Sequence, residues 1–427
     1  MPPPAALLRP AAPPRTFRAF RHRNYRLYFY GQLVSLTGSW VQTAALTWLA
    51  WDRTDKALWP GLVVAAQVLP TLLLGAWGGA LADRIPKRRL IMVTQAAFLA
   101  QALGLAAVVW CGRLTPWYML VFAAAAGVVN ALDLPARLAF VVDMVGRDDL
   151  HNAVALNSLM FNAARVVGPA VGALLLWLAG PALCFLLNAL SFLAVLAALA
   201  LMDVNGDAPE APRGERRPAL WDGLRFVAGR RDLLLLMGMT AAVGLFAWPI
   251  LSLLTAVAGR RLDANANGFG YGMLLCSFGA GALPSTLLAA SCDSPAMRRR
   301  FLAVGVVLTA TGLLGLAAAG RLTLALPCCA LLGGGLILFN STSQTIMQLS
   351  ADDHNRGRVL SIWSMVLSIA APVGGLAAGQ AVDLLDVPAV LAVLAGGLIV
   401  SAAVVFVLGR RGGDGRGAAP VYRPAEK

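Results

Sequence analysis

The chain has 427 residues, 59% of them hydrophobic and 13% charged, and a mean hydropathy of +0.71, a balance that excludes a disordered, collagen-like or nucleic-acid-binding protein and marks an integral membrane protein. The formal charge of +14 comes from 35 Lys and Arg against 21 acids. Of those 35, 27 fall in alternate loops and tails, six in the opposite loops and two inside apolar runs; this positive-inside bias predicts both termini in the cytoplasm.

Residues 1–26 are Pro-rich and basic, lack an uninterrupted apolar core and a small-residue cleavage site, and read as a disordered cytoplasmic tail rather than a signal peptide. The basic run from Arg15 to Arg26 holds the start of the first helix inside, with lipid head groups as an alternative partner. Apolar runs follow at 27–50, 59–82, 90–111, 115–142, 152–179 and 181–202, and again at 233–258, 267–290, 301–319, 322–348, 359–382 and 387–408. Each is long enough to cross a hydrocarbon core of about 30 Å as a helix, and none alternates like a barrel strand. The fold class expected is all-α integral membrane, with 12 transmembrane helices in two six-helix pseudo-repeats. The expected boundaries are a bundle at 27–202, a charged cytoplasmic linker at 203–231, a second bundle at 232–409 and a cytoplasmic tail at 410–427. Within the linker, Pro218 to Gly229 reads as either a short amphipathic helix or a solvated connection. Trp48, Trp51, Trp59 and Trp117 fall at outer ends and are expected as interfacial anchors.

The halves repeat. RDDLHN ends at Asn152 with Pro169 seventeen residues on, and ADDHN ends at Asn355 with Pro372 seventeen residues on, an offset of 203. Two similar bundles in parallel orientation put a pathway between them.

Three motifs narrow the reading. GGALADRIPKRRL, residues 78–90, combines a glycine for close helix approach, an acid able to face a helix end, and a basic cluster. RVVGPAVG, residues 165–172, places Gly168, Pro169 and Gly172 where a helix can bend and pack closely. RGRVLSIWSM opens the eleventh run. Together they resemble the major facilitator superfamily, in the exporter branch that includes the bacterial enterobactin exporters, with likeness along nearly the whole chain. The resemblance implies a small-molecule exporter working by alternating access, most simply against protons. It implies a cytoplasmic latch at Gly79, Asp83, Arg84, Lys87 and Arg88, with a plain stop cluster as the bland alternative, and a bending segment at Gly168, Pro169 and Gly172. Two departures matter: Pro86 stands where the family usually has glycine, and Ser39 where many relatives carry an acid.

Only Asp133, Arg137 and Arg165 are charged within the runs. Each costs roughly 3 kcal/mol or more facing lipid, so each is expected to face protein or water. Asp133 and Arg137 share a helix face at i,i+4 and Asp133 sits between the two arginines in depth, so a pair or an Arg-Asp-Arg cluster is available. It reads as a proton-coupling switch or as a permanent staple, and its net positive charge favours an anionic cargo group. Gln32, Ser39, Gln42, Gln67, Asn130, Asn157, Asn162, Trp248, Asn340, Gln344 and Trp363 are further candidates to line the path or to bond neighbouring helices. No metal-ligand spacing, disulfide framework, nucleotide-binding loop or nucleophile elbow occurs, so no cofactor, metal or nucleic-acid partner and no enzyme activity is expected. The expected partners are a small molecule, protons and lipid, the expected state is a monomer, and the expected location is a bacterial inner membrane. The alternative is an uncoupled facilitator or lysophospholipid-type flippase.

Overall fold

The computed structural model describes residues 15–82, 84–146, 149–203, 225–263, 268–292, 294–350 and 353–411. Among these there is no strand. The first helices are α1 (Arg23–Asp52), α2 (Leu58–Ala82), α3 (Lys87–Trp110) and α4 (Pro116–Val145). The next helical run, Leu150–Ala200, turns at Gly180 (φ 78°, ψ 175°), a left-handed φ that glycine adopts without penalty and that Pro181 then terminates. It therefore comprises α5 (150–179) and α6 (181–200). The second half contains α7 (Arg231–Phe246), α8 (Ile250–Ala256) prolonged by a π turn at Val257–Arg261, α9 (Phe269–Ala290), α10 (Pro295–Ala318), α11 (Leu322–Ser350), α12 (Asp353–Leu384) and α13 (Val387–Arg411).

Among the described residues ten segments are long and apolar enough to cross a membrane, and one of them, Asn152–Ala200, contains the Gly180 break. Helix α1 is not among the ten; Gln32, Ser35, Gln42 and Thr47 on it are buried in the protein rather than set against lipid, and Gln32 and Gln42 bond to neighbouring helices.

Each half is held by helices whose backbones nearly touch, the packing that small residues permit where no hydrophobic drive separates protein from lipid. A Cβ on Gly78 would overlap the carbonyl of Ala131, and one on Gly127 the carbonyl of Gln67, so α2 and α4 meet backbone to backbone. Gly281 against Ala330 and Gly333 against Phe278 do the same for α9 and α11. Gly78 and Gly281 are 203 residues apart, the offset of the sequence repeat. Likewise α5 seats on α1 through Gly168 and Gly172, and α12 seats on α7 through Gly374.

Several expectations change. The first helix begins at Arg23, inside the stretch read as tail, and residues Arg15–Arg21 form a 3-10 turn docked on the start of α5. There Asp149, buried at the N-cap of α5, meets Arg21 at 2.7 Å and His22 at 2.8 Å, and Arg18 lies 3.5 Å away. The His22 hydrogen bond, with Arg21 and Arg18 adding charge attraction, holds the Asp149 carboxyl below its ordinary value. The local pairing orders this segment. The seventh apolar run is not one helix: α7 ends at Phe246 and α8 starts at Ile250, with Pro249 removing an internal hydrogen bond between them. Trp48 and Trp51 are buried, 7% and 5% exposed, because both lie on the face of α1 that meets the other half; Trp117 is 71% exposed and stacks edge-on with Trp59. Of the linker, residues 225–228 are helical and 204–224 lie outside the described residues.

Candidate functional site

The seam between the halves is formed by α5 against α9 and by α2 against α12. Gly272 lies on Ala173 and Gly279 on Val166, while Gly61 lies on Gly375 and Gly379 on Ala57. At mid-depth the seam holds a narrow cleft lined by Trp40, Arg165, Val166, Pro169, Trp248, Leu251, Leu275, Phe278 and Ile337. These come from α1 and α5 of one half and from the α7–α8 break, α8, α9 and α11 of the other. The break turns Trp248 inward.

Arg165 is the one charged residue lining the cleft. Its Nη2 donates to Asn162 Oδ1 at 2.7 Å, and its guanidinium lies 5.4 Å from the Trp248 ring and 5.9 Å from the Phe161 ring. Aromatic faces stabilise such a cation by about 0.5–2 kcal/mol each, which holds the group without neutralising it.

Of the pair and the three-membered cluster, the structure assembles the pair. Asp133 Oδ2 and Arg137 Nε are 2.6 Å apart, and Asp133 Oδ1 accepts from Thr94 Oγ1 at 2.6 Å and Gln95 Nε2 at 3.0 Å. Arg137 Nη1 donates to Gln32 Oε1 at 2.9 Å. Every one of these partners belongs to α1, α3 or α4, so the pair lies inside the first half and Arg165 stands apart. Arg165 is carried by a different helix, α5, on the face that lines the cleft.

The polar candidates divide similarly. Gln42 donates to Gln101 Oε1 at 3.3 Å and accepts from Asn188 Nδ2 at 2.8 Å, tying α1 to α3 and α6. Trp363 Nε1 donates to Ser343 Oγ at 3.1 Å within the second half. Asn130 Nδ2 donates to Thr71 Oγ1 at 3.3 Å, and Ser39 Oγ bonds the Ser35 carbonyl on its own helix. Asn340 is buried on α11, and Gln67, Asn157 and Gln344 are partly buried. Of the eleven polar and aromatic candidates only Trp248 lines this cleft.

The profile of the family described as transmembrane secretion effector matches residues 15–421. The chain belongs to that family. The chain is similar to transporters of the major facilitator superfamily, among them the staphyloferrin A transporter of Staphylococcus aureus, 25% identical over 82% of this chain and 90% of that protein. The multidrug efflux pump Tap of Mycobacterium tuberculosis is 24% identical over 84% of this chain and 86% of its own length. Among solved structures, a bacterial homologue of the human lysosomal transporter Spinster superposes with a TM-score of 0.68 at 14% identity, covering 94% of this chain and 98% of that one. This secretion-effector chain is thus a multi-pass membrane transporter of a small molecule and has the major facilitator fold.

Of the residues expected to form a latch, Lys87 Nζ contacts the Asp143 carboxylate at 2.8 and 2.9 Å, and Arg88 Nη2 donates to the Ala200 carbonyl at 3.3 Å. Both partners are in the same half. Arg84 is exposed, Gly79 is partly buried, and Asp83 lies outside the described residues. At Gly168, Pro169 and Gly172 the backbone of α5 stays helical, and the two glycines admit Trp40 and Val41 of α1.

Sequence reasoning missed a second polar assembly, at the end of the molecule opposite the basic loops. Asp383, on the last turn of α12, accepts the backbone N–H groups of Ala57 and Leu58 at 2.9 and 3.0 Å, capping α2 from the other half. Arg260 of the π turn lies 3.0 Å from Asp383, donates to the Asp55 carbonyl, and sits 4.9 Å from the Trp51 ring. The signal available was one lone acid at the end of an apolar run and two arginines at the end of another; nothing local joins them.

Proposed function

We propose that this chain exports a small organic molecule across a bacterial inner membrane by alternating access, as a monomer with twelve crossings and both termini cytoplasmic, coupled to inward proton flow. The crossings are counted as α1 to α6, then α7 with α8 as one, then α9 to α13. Support for transport between the halves comes from the cleft at their seam, and support for closure at the outer end from the Asp383–Arg260 assembly that joins them there. The observation that carries the coupling reading is the buried Asp133–Arg137 pair, 2.6 Å apart with Asp133 1% exposed. Protonating Asp133 would release Arg137 and loosen the contacts of α4 with α1 and α3, a charge event with two discrete packings on either side. The latch reading for Asp83, Arg84 and Arg88 and the bending reading for Gly168, Pro169 and Gly172 rest on resemblance.

A second reading, an uncoupled facilitator or lysophospholipid-type flippase, draws on the same pair: Asp133 is enclosed by partners in one half and is not part of the cleft lining. Inside-out proteoliposomes separate the two. Uptake of staphyloferrin A as trial cargo, with pyranine reporting internal pH, should follow an imposed pH gradient in the wild type and lose that dependence in Asp133→Asn. Uptake indifferent to the gradient and unchanged by Asp133→Asn would select the uncoupled reading.

A further inference from the structure

The distribution of charge among the buried groups bears on the chemistry of the cargo. Asp133 and Arg137 cancel one another within the first half. Arg165 is not cancelled: among the described residues no carboxylate lies within ion-pair distance of it, and its Nε is fully buried with no acceptor. Asn162, its one hydrogen-bonding partner, offers a dipole and no charge. On the other side of the seam, the indole Nε1 of Trp248 is also buried with no acceptor. Leaving a buried donor without an acceptor is costly, more so when it is charged, and native interiors tolerate few. Here two such donors lie on one cleft, one from each half, and the rest of the lining is apolar and aromatic.

We propose that the cargo is an organic anion, a carboxylate or similar oxyanion on a flat apolar body. Its acid group takes the unmet donors of Arg165 and Trp248, which are closed off in this structure and become reachable when the halves part, and its body lies against Trp40 and Phe278. A neutral acceptor would satisfy the hydrogen bonds and leave the guanidinium charge uncompensated in a cleft with no other ion; a cation would be repelled. Because the two donors sit on opposite halves, occupancy by an anion also draws the halves together, whereas an empty cleft leaves both donors unmet. This inference rests on the transport reading above for its meaning and on the cleft alone for its test.

The test is equilibrium dialysis of the full chain in detergent against three probes of one shape: 2-naphthoate, 2-naphthamide and 2-naphthylmethylamine. Expected is at least about tenfold tighter binding of the naphthoate than of the amide, equivalent to about 1.4 kcal/mol, and no saturable binding of the amine. Arg165→Gln should abolish that preference and Arg165→Lys should retain part of it. Trp248→Phe, which keeps a ring and removes the N–H, should weaken naphthoate by about three- to tenfold, the loss of one hydrogen bond to a charged group. Equal binding of amide or amine, a preference that survives Arg165→Gln in monodisperse protein, or no saturable binding of any probe would overturn the proposal. An intact naphthoate preference in a protein that moves no cargo would instead overturn export and leave the site.

Discussion

Replacing Asp383 with alanine removes the acceptor of two backbone N–H groups of α2 and the partner of Arg260 in one step. A hydrogen bond to an ionised group contributes about 1.5–3 kcal/mol. Arg260 is 33% exposed and Asp383 14%, so solvent screening leaves the ion pair about 1 kcal/mol or less. The two N–H bonds at the low end of their range, with the weak ion pair ignored, sum to about 3 kcal/mol. That stabilisation exists only while the halves touch at this end, because water takes over both N–H groups once they part. Its loss shifts the closed-to-open ratio by about 150-fold, at 1.4 kcal/mol per factor of ten. Ala57 reports the opening: it is 0% exposed and lies against Gly379. In detergent-solubilised Ala57→Cys protein lacking the native cysteines, the rate of thiol modification by a polar reagent reads the open population even when that population is small. Asp383→Ala should raise this rate by about two orders of magnitude, and Asp383→Asn, which keeps one acceptor oxygen, by about one. A rate within about threefold of the parent, for which the ratio would have moved by less than about 0.7 kcal/mol, would refute the reasoning.

The docking of residues 15–22 should depend on pH through Asp149. Its carboxyl is held low in the folded protein, so the contribution is complete above the ordinary carboxylate value of about 3.9 and is lost as pH falls through the lowered value; a spin label at Phe17→Cys should stay immobilised from neutral pH to about 4 and loosen below it, whereas Asp149→Asn should be loose at neutral pH. Gly281→Ala forces a Cβ into the Ala330 carbonyl, whereas a Cβ at Gly238 meets nothing within 4 Å. Melting in detergent should therefore show a loss of about 1–3 kcal/mol for Gly281→Ala and no loss for Gly238→Ala.

Much of this architecture is written locally. The apolar runs and the Pro169 and Pro372 repeat follow from residue type and spacing, because each acts through its own helix, whereas the break at Pro249 inside the seventh run was not read from it. Asp133 and Arg137 share a face by helical periodicity alone, and the structure sets them 2.6 Å apart. What escaped the sequence is azimuth. Position along the helices left Arg165 available to that pair, but the rotation of α5 about its axis is set by Gly168 and Gly172 seating on α1, and it carries the guanidinium to the seam instead. Trp51 looked like an interfacial anchor because its position along α1 is right for one; it is buried because Gly259 and Arg260, some two hundred residues away, cover its ring. Asp383 fell at the end of a run where an acid is unremarkable, and its acceptors' partners are main-chain groups that no side-chain pattern reveals.

The glycine crossings inside each half have a consequence for how such a chain can diverge. Where main chain rests on main chain, any larger residue is resisted at Gly78, Gly127, Gly281 and Gly333, so each half is stiff and slow to change there. The residues around the cleft rest on side chains, which tolerate exchange at lower cost. New cargo preferences in descendants of this protein should therefore accumulate at positions such as Trp40, Trp248 and Phe278, leaving the frame that carries them almost untouched.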